Sequence, residues 1–245
     1  MFRQRLRSVS IRGSTQGKIS AVWADVNCMR DLLKRNVRWK YLINLSGYDF
    51  PLKTNREIVR QLKAYNGHNC IGNQALNDGP WSKRTKKRHR NPPPGNVTIH
   101  RGSNYFAGTR DFIDFVINDD LSRRFLAWVE DTVIPDETFI PTLGKLPRVP
   151  GYWPSMSGCR VKYQKWKSHS NNHHSRKCHG KFVHNLCIYQ VGDLQELIKL
   201  PDLFVNKFHY NYDPVTMQCM EELLAHRILH EPEEYHLLYQ RDDIP

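Results

Sequence analysis

Asp131-Thr-Val-Ile-Pro-Asp-Glu137 reads as a turn after a helical stretch, and it presents acidic side chains to whatever lies beside it. The run Gly102-Ser-Asn-Tyr-Phe106 precedes it, and Cys178-His-Gly-Lys-Phe-Val-His184-Asn-Leu-Cys187-Ile-Tyr189 follows, with cationic side chains further along the chain. A base paired with cations suits glycosyl transfer. The base takes a proton from a sugar hydroxyl, and positive charge holds a departing nucleotide diphosphate. The Pro-Asp-Glu turn carries little alone; the order of the blocks carries the reading.

The elements that must position these residues belong to an ordinary globular chain. It has 245 residues, 39% hydrophobic and 25% charged, enough for one large domain or two small ones. Six tryptophans and eleven tyrosines argue against disorder. No run approaches the roughly 18 apolar residues of a membrane span. The N-terminal Met1-Phe-Arg-Gln-Arg-Leu-Arg7 is basic without an apolar core behind it, so it is not a complete signal peptide. Tyr41–Leu45 reads as a buried strand, and Thr54-Asn-Arg-Glu57 as a capping box opening a helix through Ile58, Val59 and Leu62. That succession fits an α/β sheet. Residues 66–95 read as a long loop, and Val97–His100 as a strand. Phe112–Val116 and Leu121–Val129 read as helices, and 135–154 as irregular. Leu186–Gln190 suits a strand, and Asp193–Leu200 and Pro214–Arg227 suit helices.

A net charge of +13 raises nucleic-acid binding. The charge is clumped, however, with six Lys or Arg in Lys83–Arg90, and no helix-turn-helix or zinc-finger spacing accompanies it. Solvated basic loops, or a site for an anionic ligand, account for it better. None of Cys28, Cys70, Cys159, Cys178, Cys187 and Cys219 forms a Cys-x-x-Cys pair. The nine-residue spacing of Cys178 and Cys187 allows a disulfide across a turn. A zinc site with His173, His174 and His179 is the alternative. Asn96-Val-Thr98 is a glycosylation sequon in an exposed proline-rich loop, whereas the sequon at Asn44 lies in an apolar run.

Several blocks together resemble the β-1,6-N-acetylglucosaminyltransferases that make core 2 and I-type branches. They are Ala24–Leu32, Trp39–Val59, Gly102–Phe106, Asp131–Glu137, Val149–Gly151, Cys178–Tyr189 and Leu203–Phe208, in family order. Val183-His184 and the prolines from Pro92 lie nearer the I-branching members. The resemblance implies an α/β GT-A-type glycosyltransferase fold, incomplete at its N-terminal nucleotide-binding half. It implies one catalytic domain over residues 1–230 with a tail at 231–245. It further implies an inverting transfer from UDP-GlcNAc with no metal and no cofactor, in keeping with the lack of any Asp-x-Asp. Family members are type II membrane proteins of the Golgi, with lumenal catalytic domains and glycoprotein or oligosaccharide acceptors; nucleic acid is not a partner.

Carried over residue by residue, the resemblance makes Glu137 the general base and Lys207 the diphosphate cation. His184 stands where core 2 enzymes carry an arginine, and a histidine's charge depends on pH. Ser103, Asn104 and Tyr105 shape the donor-sugar site. Trp166, or Tyr163 in its place, packs on the acceptor, and Arg84 contacts it. Cys178 and Cys187 match a family disulfide. Cys28 and Cys219 match cysteines whose partners lie in a region this sequence lacks, and Cys70 and Cys159 match none. Three other readings compete: a peptide O-xylosyltransferase-like enzyme with a different donor, a non-catalytic glycan-binding fragment, and a basic nucleic-acid module.

Overall fold

A computed structural model describes residues 17–74, 91–154, 158–167 and 177–230. In chain order the elements are α1 (Ile19–Leu33), β1 (Tyr41–Ile43), β2 (Asp49–Pro51), α2 (Asn55–Ala64), β3 (Cys70–Gln74) and β4 (Arg101–Thr109). Then come α3 (Arg110–Asn118), α4 (Asp120–Val129), α5 (Phe139–Leu143), β5 (Lys162–Gln164), β6 (Lys181–Val183) and β7 (Leu186–Ile188). The chain closes with α6 (Leu194–Leu197), β8 (Phe204–Asn206) and α7 (Pro214–Leu229). Among the described residues no helix is long and apolar enough to cross a membrane.

The mixed α/β chain packs as two compact units, residues 1–45 with 65–161, and residues 46–64 with 162–245. In the first, β4 lies between β1 and β3 and is antiparallel to both, with Tyr41 opposite Thr109 and Cys70 opposite Ala107. Val22, Val26 and Met29 line one face of α1 at helical spacing. They pack with Phe106, Phe112, Phe125, Val129 and Phe139 into one core. Two caps turn the chain here. The Thr109 hydroxyl accepts from the Phe112 amide and opens α3, and the Asp119 carboxylate accepts from the Ser122 amide and opens α4. A disulfide joins Cys70 to Cys159, a pairing over 89 residues that the sequence left open.

In the second unit, β8 lies between β2, antiparallel to it, and β5, parallel to it. Phe204, Val205 and Asn206 are all buried, as a central strand requires. Phe50, Leu52, Tyr189, Leu197, Val205, Phe208 and Met220 form its core. The capping box is present: the Thr54 amide donates to Glu57 at 2.7 Å, and the Glu57 amide to the Thr54 hydroxyl at 3.2 Å.

Three sequence expectations are corrected. Residues 66–95 are not all loop, because Cys70–Gln74 forms β3, whose backbone pairs with β4. Val97–His100 forms no strand. The Thr142 hydroxyl instead accepts from the His100 amide at 3.0 Å and donates to its carbonyl at 3.1 Å, satisfying the backbone without a neighbouring strand. The strand is Arg101–Thr109, which includes the Gly102–Phe106 run. The stretch after Pro135 is also less irregular than expected, since it holds a 3-10 turn at Pro135–Glu137 and then α5.

Candidate active site

The first unit presents Glu137 at the end of a 3-10 turn whose preceding residue, Ile134, is left-handed with φ 57°. A β-branched residue there is strained by roughly 1–3 kcal/mol. The turn is nonetheless over-determined. The Glu137 amide donates to the Ile134 carbonyl at 3.2 Å, and the Thr138 amide to the Pro135 carbonyl at 3.0 Å. The Glu137 Oε2 accepts from Arg101 Nε at 2.9 Å, so the first residue of β4 holds the carboxylate. Both side chains are about one-third exposed, at 37% and 29%, so the pair contributes only about 0–1 kcal/mol to folding. Arg101 is a residue of the candidate site that sequence reasoning missed. Its partner lies 36 positions away, and no local pattern joins them.

Beside this turn, Asp136 is buried and its Oδ1 has no hydrogen-bond partner among the described residues. It shares a cavity with Asp25, Asn104, Val22, Met29 and Ile140. Asn44 ties this cluster to β4, its amide donating to Asp25 at 3.3 Å and to the Asn104 carbonyl at 2.8 Å. The Asn44 side chain is therefore committed inward, as expected for an unused sequon. Burial, and then the Asp136 charge, push the Asp25 carboxyl up to about 7, while the Asn44 hydrogen bond opposes them. Ser103, Asn104 and Tyr105 lie half-buried on β4 beyond Arg101. The Tyr105 amide donates to the Ser103 hydroxyl at 3.1 Å.

A stability prediction arises from Asp25. Below about pH 4 the carboxyl is protonated in folded and unfolded chains alike and has no effect. As pH rises toward about 7, the unfolded chain releases the proton and the folded chain keeps it, so stability falls. Asp25→Asn removes that dependence. Urea unfolding is expected to show the variant equal to the parent near pH 4. Near pH 8 it should be about 1–3 kcal/mol more stable, a range discounted for the solvent that reaches a half-buried residue. A constant difference across that range would refute the assignment.

The second unit carries the candidate cations. Lys207 follows β8, and its ammonium lies 4.6 Å from the Tyr48 ring centroid, with no carboxylate partner among the described residues. That arrangement holds a lysine in place while leaving its charge available to an anion. Tyr48 in turn stacks on His209 at 5.6 Å. Behind Lys207 lies a buried network in which Lys162 Nζ donates to both Asp49 oxygens, at 3.0 and 2.8 Å. Asn206 Nδ2 donates to Asp49 at 2.7 Å, and the Ser46 amide at 2.6 Å. Burial pushes Lys162 down to about 7, with Asp49 opposing.

His184 and Asn185 form the two-residue loop of the β6–β7 hairpin, with φ 50° and 65°. Two positive φ values are the mark of a type I′ turn, which asparagine and histidine tolerate better than most residues. His184 is exposed at that tip. At the other end of the hairpin, a Cβ on Gly180 would run into the Ile188 carbonyl, so only glycine fits. Cys178 and Cys187 are joined in a disulfide, as the resemblance implied. They cluster with Asp193, but both sulfurs are used in the bond. Asp193 accepts from Lys165 at 3.1 Å and from the His179 amide. The expected zinc alternative therefore loses Cys178; His173 and His174 lie outside the described residues.

Trp166 is 57% exposed and bridges to Leu186, so its ring is available to a ligand. Tyr163, the alternative, is turned inward, with its hydroxyl donating to Glu196 at 3.2 Å. Arg84 lies outside the described residues. Cys28 and Cys219 are free thiols. Asn96 and Thr98 are both exposed. The structure thus brings Glu137 together with Arg101, and Asn104 with Asp25 and Asp136, in the first unit. It sets Lys207 on Tyr48, and Trp166 against the strand that leaves the His184 turn, in the second.

Comparison with known proteins adds to this geometry. Residues 5–198 match the family model for the Core-2/I-Branching enzyme. The chain is 40% identical over 234 residues to a human N-acetyllactosaminide beta-1,6-N-acetylglucosaminyl-transferase, covering 89% of this chain and 58% of the relative. It is 35% identical over 239 residues to a sheep beta-1,3-galactosyl-O-glycosyl-glycoprotein beta-1,6-N-acetylglucosaminyltransferase 3, covering 87% and 54%. It is also 35% identical over 242 residues to a zebrafish beta-1,3-galactosyl-O-glycosyl-glycoprotein beta-1,6-N-acetylglucosaminyltransferase 4, covering 87% and 55%. The chain therefore spans little more than half the length of these relatives.

Proposed function

Because the chain belongs to the Core-2/I-branching enzyme family, we propose that it takes part in transferring N-acetylglucosamine from UDP-GlcNAc to the 6-hydroxyl of a galactose or N-acetylgalactosamine residue, forming a β-1,6 branch. The fold we assign to it is of the GT-A type. The observation that carries the reading is a carboxylate held on a strained, over-determined turn, Glu137, in a chain that also carries a lysine, Lys207, with no carboxylate partner among the described residues.

Glu137 accepts the proton of the C6 hydroxyl as that oxygen bonds to C1 of the donor sugar from the face opposite the phosphate. The bond from C1 to the phosphate oxygen breaks, the configuration at C1 inverts, and UDP leaves with the bonding pair. Lys207, and His184 when charged, meet the negative charge that develops on the diphosphate, so the proposed reaction needs no metal. Ser103, Asn104 and Tyr105 shape the donor-sugar site, and the exposed face of Trp166 stacks on the acceptor. The relatives' printed names divide between N-acetyllactosaminide and galactosyl-O-glycosyl acceptors, and the higher identity favours the former.

The test is transfer from UDP-GlcNAc in the presence of EDTA, using the full protein, to a poly-N-acetyllactosamine oligosaccharide and to a core 1 disaccharide. Transfer to the first above the second supports the reading. Transfer of xylose to a serine peptide instead, or UDP binding with no transfer to any glycan, would overturn it.

We place the chain in the Golgi lumen. Two disulfides accord with an oxidising compartment. There the exposed Asn96 is expected to carry an N-glycan. A mass shift on glycosidase treatment that disappears in Asn96→Gln would establish it, and an unshifted parent secreted from cultured cells would refute it.

A further inference from the structure

We propose that Arg101 is the positioning residue of the base: it fixes the Glu137 carboxylate in the orientation from which it takes the acceptor's proton. The inference rests on Glu137 being that base.

Three observations carry it. The contact is direct, Nε to Oε2 at 2.9 Å, and charge-assisted, which makes it stronger and more directional than a neutral hydrogen bond. The two residues come from elements of different kinds. Arg101 opens β4, paired through Gln74 with β3, whereas Glu137 ends a turn strained at Ile134. The strand therefore supplies a reference that a three-residue turn lacks. Finally, the pair is too exposed to matter much for folding, yet Arg101 is committed to it. The other N–H donors of its guanidinium make no hydrogen bond among the described residues. A partly exposed arginine held on one carboxylate adds little to stability, but it removes the rotational freedom that a general base cannot tolerate.

The chemistry sets the expected size. Loss of the Arg101 hydrogen bond lets the carboxylate turn out of line with the hydroxyl more often, and a misplacement of about 1 Å lowers the rate roughly 100-fold. Donor and acceptor binding do not depend on that alignment, so the effect falls on kcat and not on KM.

The experiment uses the full protein and the variants Arg101→Met, Arg101→Lys and Glu137→Gln. It measures kcat, the KM for UDP-GlcNAc and for the acceptor, and the melting temperature. Arg101→Met is expected to lose about 10- to 100-fold in kcat, with both KM values within about threefold of the parent and an unchanged melting temperature. Arg101→Lys keeps the charge without the planar fork and should fall between. Methylguanidinium added to the Arg101→Met protein should restore part of the rate.

Parental kcat in Arg101→Met, with Glu137→Gln inactive, overturns the proposal and leaves the base intact. A matching fall in melting temperature and rise in KM overturns it in favour of a structural role. Should Arg101→Met fail to fold, Arg101→Lys decides: a lowered kcat at unchanged KM supports the proposal, and parental kcat overturns it. Full turnover in Glu137→Gln removes the base, and the proposal with it.

Discussion

Glu137→Gln is expected to lower kcat for β-1,6 transfer by about 10²- to 10⁴-fold, the range that a positioned general base contributes. The substitution is close to isosteric. Its amide oxygen still accepts from Arg101 Nε, so the contact at 2.9 Å and the turn behind it survive. The amide has no affinity for the hydroxyl proton, and the attacking oxygen must then lose that proton to water. In the proposed reaction other residues carry the binding of UDP-GlcNAc, so its KM should change little. Steady-state kinetics with the full protein, together with UDP binding by calorimetry, checks both halves. The idea fails if Glu137→Gln turns over at the parental rate. It also fails if the loss lies wholly in donor KM, which would make Glu137 a binding residue. Aspartate at this position is the informative companion. It keeps the charge but withdraws it by one methylene, so a large loss in Glu137→Asp would show that placement matters as much as ionisation.

The contrast between what could be read in advance and what could not follows from range. Local devices were legible. The Thr54–Glu57 box, the helices after Thr109 and Asp119, and the short disulfide from Cys178 to Cys187 each need only residues a few positions apart, or nine in the last case. Glu137 and Lys207 are candidates through the resemblance alone, since neither stands out by its type. Helix α1 went unread because its N-terminal residue Lys18 makes no side-chain cap bond, although Val22, Val26 and Met29 supplied a period that could have revealed it. Strand β4 was hidden by Gly102 and Gly108, which weaken a strand signal. The β-rich Val97–Ile99 drew the assignment instead, because propensity cannot tell whether a partner strand exists. The Cys70–Cys159 bond and the Arg101–Glu137 pair span 89 and 36 residues. Only the folded chain brings such partners together.

The same limit hid the feature with the largest expected effect on stability. Lys162 and Asp49 are each 1% exposed in their side chains, and they form an ion pair at 2.8 Å inside the β2–β8–β5 sheet. Lys162→Met removes one charge and leaves the other. Asp49 keeps its hydrogen bonds from Asn206 and the Ser46 amide, but its carboxylate then lies buried without a counter-charge. Breaking a pair in this way typically costs about 3–5 kcal/mol. Urea unfolding near neutral pH should show a loss of that size.

The paired replacement Asp49→Asn with Lys162→Met removes both charges and keeps an oxygen for only one of the two donors, Asn206 and the Ser46 amide, so it should recover part of the loss, since the pair itself adds little over a neutral equivalent. A double variant as unstable as the single one would mean that the lysine stem, not the charge, matters. Catalysis should follow stability here. Asn206 is bonded to Asp49 and directly precedes Lys207, so a carboxylate that repels its surroundings disturbs the strand end that presents the lysine. The single variant is therefore expected to raise the KM for UDP-GlcNAc even where it remains folded, and the double variant to restore it. Recovery of stability without recovery of donor binding would separate Lys207 from the network behind it.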